Sequence, residues 1–136
     1  MLTTTQLDMP TNVPRVTPCE ENGYCLFPPE LEDDPLVLFH ITPVRNFDGI
    51  IANGFLSGAE LGTGELCSVS YAKRSIGCLA KINNVVSEDS VVFAVRFDTL
   101  GQDGIKVNES DIHVFRREIQ PAILEYCELP SGYRVT

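Results

Sequence analysis

The sequence predicts an α+β domain with a strand-rich core. Apolar runs of strand length recur at residues 36–41 (LVLFHI), 90–97 (SVVFAVRF) and 111–119 (DIHVFRREI). Between them lie shorter stretches, at 44–51 and from about 72 onward, whose apolar residues repeat at helical spacing. The chain has 136 residues, 43% of them hydrophobic, which suits one domain with a real core. The predicted element order is β-α-β-α-β-(β)-β-α-β.

Residues 1–35 read as a Pro-rich N-terminal arm, set apart from a domain over 36–136. Six of the nine prolines fall in the arm. Proline fixes φ and lacks an amide donor, so long helices and central strands are not expected there. The acidic run Glu30, Glu32, Asp33, Asp34 closes the arm, and the apolar group Tyr24, Leu26, Phe27 is expected to pin it to the domain. The composition leaves three readings of the arm open: an extended wrap, a disordered tail and a partner-binding segment.

Within the domain, 36–41 fits a central strand. Thr42-Pro43 reads as a helix start, since threonine caps and proline suits the first helical position. Val44, Phe47, Ile50 and Ile51 then share one helical face, and Asn53-Gly54 stops the helix. Residues 57–65 (SGAELGTGE) form a glycine-containing loop whose spacing matches neither a Walker nor a dinucleotide fingerprint. In the short strand 66–71 (LCSVSY), Leu66, Ser68 and Ser70 face one way and Cys67, Val69 and Tyr71 the other. The helix that follows carries Ile76, Leu79 and Ala80 on one stripe, with Ile82 and Val86 beside it.

Residues 90–97 are the clearest strand, rich in β-branched and aromatic side chains. Gly101 and Gly104 mark a turn, and 105–107 adds a short strand. Strand 111–119 places Ile112, Val114, Arg116 and Glu118 on one face. Gln120-Pro121 opens a short helix over 122–126, and the tail 127–135 supplies an edge strand.

A formal net charge of −9 disfavours nonspecific attraction to nucleic acid or anionic membrane. The apolar runs are strand-length, so no membrane span is expected. The opening MLTTTQLDMP lacks the basic start and apolar run of a secretory signal, so a cytoplasmic location is expected. The five cysteines form no CxxC pair and only two histidines exist, His40 and His113. No metal site is expected, and the cysteines read as buried or free thiols.

Three stretches resemble a known family. Residues 39–56 (FHITPVRNFDGIIANGFL) resemble the opening motif of DarT-type ADP-ribosyltransferases: an aromatic-His-Ile-Thr strand, an Asn-led helix, then a glycine and a leucine. Residues 68–79 (SVSYAKRSIGCL) resemble that family's aromatic strand entering an Arg-Ser helix. Residues 119–124 (IQPAIL), after a strand, look like its last catalytic strand and the Pro-led helix beyond.

The resemblance implies an ADP-ribosyltransferase-like domain: two small antiparallel sheets forming a cleft, with a few short helices. It implies NAD as substrate in that cleft, contacted by His40, Thr42, Asn46 and Arg74, with Tyr71 stacking on the nicotinamide. It also implies a carboxylate near the ribose, to stabilise the positive charge that develops as the nicotinamide bond breaks. The family has a glutamate at the start of the last catalytic strand, and this sequence has none at 111–113. Asp111 is the choice by alignment and Glu118 by residue type, with Glu109 just before the strand. The catalytic candidates are therefore His40, Asp111 and Glu118.

The implied function is a small NAD-dependent ADP-ribosyltransferase acting on a protein or nucleic-acid acceptor, as in a toxin or counter-defence factor. Alternatives are an NAD glycohydrolase, or a catalytically impaired module on the same fold that binds a nucleotide or a partner. By themselves the residues have plainer readings: His40 and Tyr71 as core, Thr42 as a cap, Asn46 as an exposed helix residue, and Arg74, Asp111 and Glu118 as surface charges.

Overall fold

Two apolar runs form the centre of the structure. Val37–Pro43 (β2) and Ser90–Arg96 (β4) pair antiparallel along their whole length, from Val37 opposite Arg96 to Pro43 opposite Ser90. The structure is a computed structural model that describes residues 15–16, 26–57, 67–80 and 86–133, with 15, 16 and 80 described by backbone alone. The remaining elements are β1 (Arg15–Val16), α1 (Pro29–Glu32), a 3₁₀ turn (Val44–Asn46), α2 (Phe47–Asn53), β3 (Val69–Ala72), α3 (Ser75–Ala80), β5 (Ile105–Val107), β6 (Asp111–Val114) and β7 (Ala122–Leu129). The α+β class holds, and none of the described helices is long and apolar enough to cross a membrane.

In place of two small sheets, the described strands form one seven-stranded sheet in the order β1-β7-β4-β2-β3-β6-β5. Every pairing is antiparallel except that β1 adds parallel to β7. The sheet is nevertheless nearly divided. Its two halves, β1-β7-β4-β2 and β3-β6-β5, are joined by one residue pair, Phe39 opposite Ala72. Past that pair β2 runs on to Pro43 while β3 lies back toward Val69, and the ladder is not continued.

Each face of the sheet carries its own core, because strand side chains alternate. On one face Leu38, Tyr71, Phe93, Val95, Ile112 and Tyr126 pack with Phe47 of α2 and with Phe55. Phe47 stacks on Phe93 at 5.6 Å and meets Tyr126 edge-on at 5.0 Å. On the other face Phe39, Val92, Ala94, Cys127 and Leu129 pack with Leu26, Phe27, Cys78 and Leu79. Burying one such side chain contributes roughly 1.5–3 kcal/mol.

The start of α2 differs from expectation. Thr42 and Pro43 stay in β2, because Pro43 continues the β4 ladder opposite Ser90. The chain turns only at Val44, through the 3₁₀ turn, and no side chain caps either helical segment. On the helix face, Phe47 is buried and Val44 and Ile50 are partly so, but Ile51 is exposed. The glycine stop is where the sequence placed it: Gly54 caps α2 with φ +83° and its amide bonds the Ile50 carbonyl.

The C-terminal third is corrected most. Residues 122–126 are not helical; they open the eight-residue strand β7, which lies inside the sheet between β1 and β4. Residues 127–129 belong to this interior strand, not to an edge. Leu124 and Cys127 serve one core while Ile123 and Tyr126 serve the other, and a bulge opposite Ala94 and Val95 accommodates the switch. A strand buried on both faces reads as a continuous apolar run, which periodicity cannot tell from a helix.

Strand 111–119 also ends early, at Val114. Gln120 then folds back: its carboxamide accepts from the Phe55 amide at 2.8 Å and donates to the Phe55 carbonyl at 2.9 Å. The helix expected from about 72 is the short α3, and Ile82 lies outside the described residues.

Leu26 and Phe27 do pin the N-terminal segment: both are buried in the second core. Tyr24 lies outside the described residues. Glu32, only 4% exposed, accepts hydrogen bonds from the amides of Phe27 and Ser75 and from the Ser75 hydroxyl. These donors compensate the desolvation of a buried carboxylate. Cys78 and Cys127 are buried thiols and Cys67 an exposed one, while Cys19 and Cys25 lie outside the described residues.

Two stability predictions follow from this packing. A Cβ on Gly54 would lie 2.6 Å from Gln120 Oε1 and would sit on a backbone that only glycine adopts readily. Gly54→Ala is expected to cost about 1–3 kcal/mol in urea unfolding. Glu125 keeps a buried Oε1 with no hydrogen-bond partner, and desolvation followed by the nearby Glu30 raises its pKa. A raised carboxyl favours the fold below its unfolded pKa, and that contribution is lost as pH rises through the folded value. Glu125→Gln should therefore raise the melting temperature at neutral pH, with the gain vanishing in acid.

Candidate functional site

The near-division of the sheet places His40. Its neighbours in alternation, Leu38 and Thr42, point to the face that carries α2, and so does its ring. The imidazole packs edge-on to Phe55 at 5.3 Å and against Tyr71 at 5.5 Å. Its Nδ1 donates to the Ser70 carbonyl at 2.8 Å. Ser70 lies on β3 beyond the last ladder pair. The side chain of β2 thus supplies a donor where the backbone of β2 has diverged.

Two hollows, one on each face of the sheet, are lined by this residue. One, of about 170 Å³, is lined by His40, Thr42, Arg45, Asn46, Asn53 and Phe55 among others. Asn46 Nδ2 donates to Thr42 Oγ1 at 2.9 Å, so both side chains are held at its wall. Thr42 acts here as a hydrogen-bond acceptor, not as a helix cap. The second hollow, of about 370 Å³, lies where β2 and β3 part and is lined by Phe39, His40, Ile41, Ser70, Asp111 and His113 among others. Of the residues lining these two hollows, His40 is common to both.

The structure separates the two candidate acids. Asp111 opens β6 opposite Ala72, and its carboxylate faces the larger hollow. Asn108 Nδ2 donates to Asp111 Oδ1 at 2.9 Å, and His113 Nε2 lies 3.1 Å from Oδ2. Glu118 does not reach this region. It sits past the end of β6 in an exposed turn, where it pairs with Arg116 at 2.9 Å. Backbone hydrogen bonding, then Arg116, lowers its pKa, so it is an ionised surface carboxylate.

Two other expected contacts fall elsewhere. Tyr71 is 1% exposed and buried among His40, Phe55 and Phe97, which leaves no ring face for stacking on a ligand. Burial drives its hydroxyl pKa strongly upward. Its role is to back the His40 ring. Arg74 is exposed, pairs with Asp33 at 3.2 Å, and lines a different hollow beside α1.

Sequence reasoning did not assign roles to three participants. Asn108 and His113 position Asp111, and Arg45 lines the smaller hollow while pairing with Glu88. The i, i+2 spacing of Asp111 and His113 on a strand is the signal that brings them to one face. Among the described residues no group of His, Cys, Asp and Glu is arranged to hold a metal ion.

His40→Ala removes the donor to Ser70 and the ring between Phe55 and Tyr71. A loss of about 1–3 kcal/mol in unfolding free energy is expected. Amide exchange should accelerate first along β3, which His40 ties to β2.

Compared with known proteins, the chain matches no family model, and neither the curated proteins nor the solved structures contain a significant match.

Proposed function

We propose that the chain is a small NAD-dependent ADP-ribosyltransferase acting on a protein or nucleic-acid acceptor. The observation that carries this reading is that His40 lines two hollows, one on the α2 face walled by Thr42 and Asn46 and one on the opposite face of the sheet walled by Asp111. These are four of the residues that the DarT resemblance assigns to NAD binding and catalysis, and they come from two separate stretches of chain, 40–46 and 111. The residues fit the group in chemistry: neutral donors and acceptors stand on one side of His40 and a carboxylate on the other. Among the described residues the ladder between the two halves of the sheet is the single pair Phe39 and Ala72, a weak joint that supports this reading.

In this reading His40, Thr42 and Asn46 bind and orient the dinucleotide through neutral hydrogen bonds. Asp111 supplies the negative charge at the ribose, where positive charge develops in this class of transfer. Asn108 and His113 hold that carboxylate in place before substrate arrives, which lowers the cost of orienting it during reaction. Glu118 has no part.

A second reading is favoured by one specific pair of facts. Tyr71 is consumed by the core and Arg74 by Asp33, so two of the five implied NAD contacts are occupied within the protein. Aspartate also reaches about one methylene less far than the glutamate of the family. On this reading the chain is a binding module that holds a nucleotide and turns it over poorly or not at all.

Nicotinamide release from NAD separates the two. The transferase reading expects release that falls roughly 10²-fold or more in Asp111→Asn and in His40→Ala, and is unchanged in Glu118→Ala. NAD binding by calorimetry without any release would favour the binding module. Release that survives both substitutions would sink the proposed site.

A further inference from the structure

β3 and β6 divide their side chains sharply by face. Val69, Tyr71, Ile112 and Val114 are all buried in the first core. The alternate positions are Ser68, Ser70, Asp111 and His113, set side by side through the pairings Ser70 opposite His113 and Ala72 opposite Asp111. A polar face on a half-covered sheet is ordinary. What is not ordinary is the order in which these groups are connected. Ser68 Oγ lies 3.1 Å from His113 Nδ1, His113 Nε2 lies 3.1 Å from Asp111 Oδ2, and Asp111 Oδ1 accepts from Asn108 at 2.9 Å.

The carboxylate can only accept, so the imidazole presents its Nε2 proton to Asp111 and its Nδ1 lone pair to the Ser68 hydroxyl. That is a nucleophile on a base, with the base fixed in one tautomer by an acid. The acid is itself anchored, by the Asn108 side chain and by the Asn108 amide bonding the Asp111 carbonyl at 2.9 Å. His113 and Asp111 are 30% and 25% exposed in their side chains, reachable by a small molecule but not loose in solvent. Both line the larger hollow, whose other walls include Phe39, Ile41, Ala72 and Cys78.

We propose that Ser68 is an activated nucleophile, with His113 as its general base and Asp111 as the positioning acid, and that it reacts with small esters approaching beside the larger hollow, which His113 and Asp111 line but Ser68 does not. The step balances within the chain and water. Ser68 Oγ bonds to the ester carbonyl carbon as its proton passes to His113 Nδ1. The ester carbon–oxygen bond breaks and His113 returns that proton to the leaving alcohol. Water then attacks the acyl group by the same proton path, releasing the acid and restoring Ser68. No NAD is involved; the step shares Asp111 and His113 with the transferase reading, but Ser68 belongs to this step alone, so labelling at Ser68 and nicotinamide release are separate readouts.

An alkyl fluorophosphonate probe tests it on the full chain, because such a probe reacts irreversibly with an activated serine by loss of fluoride. Peptide mapping by mass spectrometry should find the label on Ser68 and none on Ser110 or Ser131. Ser68→Ala removes a single oxygen and should abolish labelling with the circular dichroism spectrum unchanged. His113→Gln, which keeps much of the ring's bulk, should slow labelling by about 10²-fold or more. Absence of label at Ser68, label spread over surface serines, or an unchanged Ser68 rate in His113→Gln would each overturn the proposal.

Discussion

The feature on which the rest depends is the parting of β2 from β3. Antiparallel strands that begin to pair normally continue, since each added pair satisfies two backbone groups at little further entropic cost. Here pairing stops after Phe39 and Ala72, and the groups beyond must be satisfied some other way. His40 answers part of that demand by donating to the Ser70 carbonyl. One side chain therefore closes a gap in the sheet and marks where the gap opens. The larger hollow lies where the strands part, while the other edge of β2 is paired with β4 from end to end.

The surroundings keep His40 at that position. Phe55 and Tyr71 flank its ring, and both are buried. Phe55 is fixed in turn by Gln120, whose carboxamide mimics a strand partner for an isolated stretch of backbone. Gly54 is what allows the chain to leave α2 and pass beneath Gln120, with a positive φ and no Cβ to obstruct the amide. A histidine in β2, a glycine after α2 and a glutamine after β6 thus form one mechanical unit drawn from three parts of the sequence. On the far side of the sheet Glu32 does similar work, joining the N-terminal segment to the first turn of α3.

Much of the strand framework was legible in the sequence. The runs at 36–41 and 90–97 became the two central strands, and Asn53-Gly54 became a true helix end, because composition and glycine conformation are local signals. The failures share a different cause. Pro121 suggested a helix over 122–126, but a full-length partner in β4 and apolar demand on both faces made it a strand. Thr42-Pro43 suggested a cap, but the same β4 ladder held both residues extended. In each case tertiary pairing overrode a local preference. At the candidate site, His40, Thr42 and Asn46 were picked out by motif and line one hollow, while Asp111 lines another on the opposite face of the sheet. Tyr71, Arg74 and Glu118 were picked out the same way and do not, since burial beneath His40 and pairing with Asp33 or Arg116 are decided by the fold.

The placement of β7 bears on how the chain reaches its native state. It is the last of the described strands along the sequence, yet it sits inside the sheet, with β4 on one side and β1, residues 15–16, on the other. During synthesis β4 must wait with one backbone edge unmatched until β7 emerges, a period in which that edge is open to foreign strands. Such long-range pairing also gives a high contact order and hence slow folding for a chain of this length.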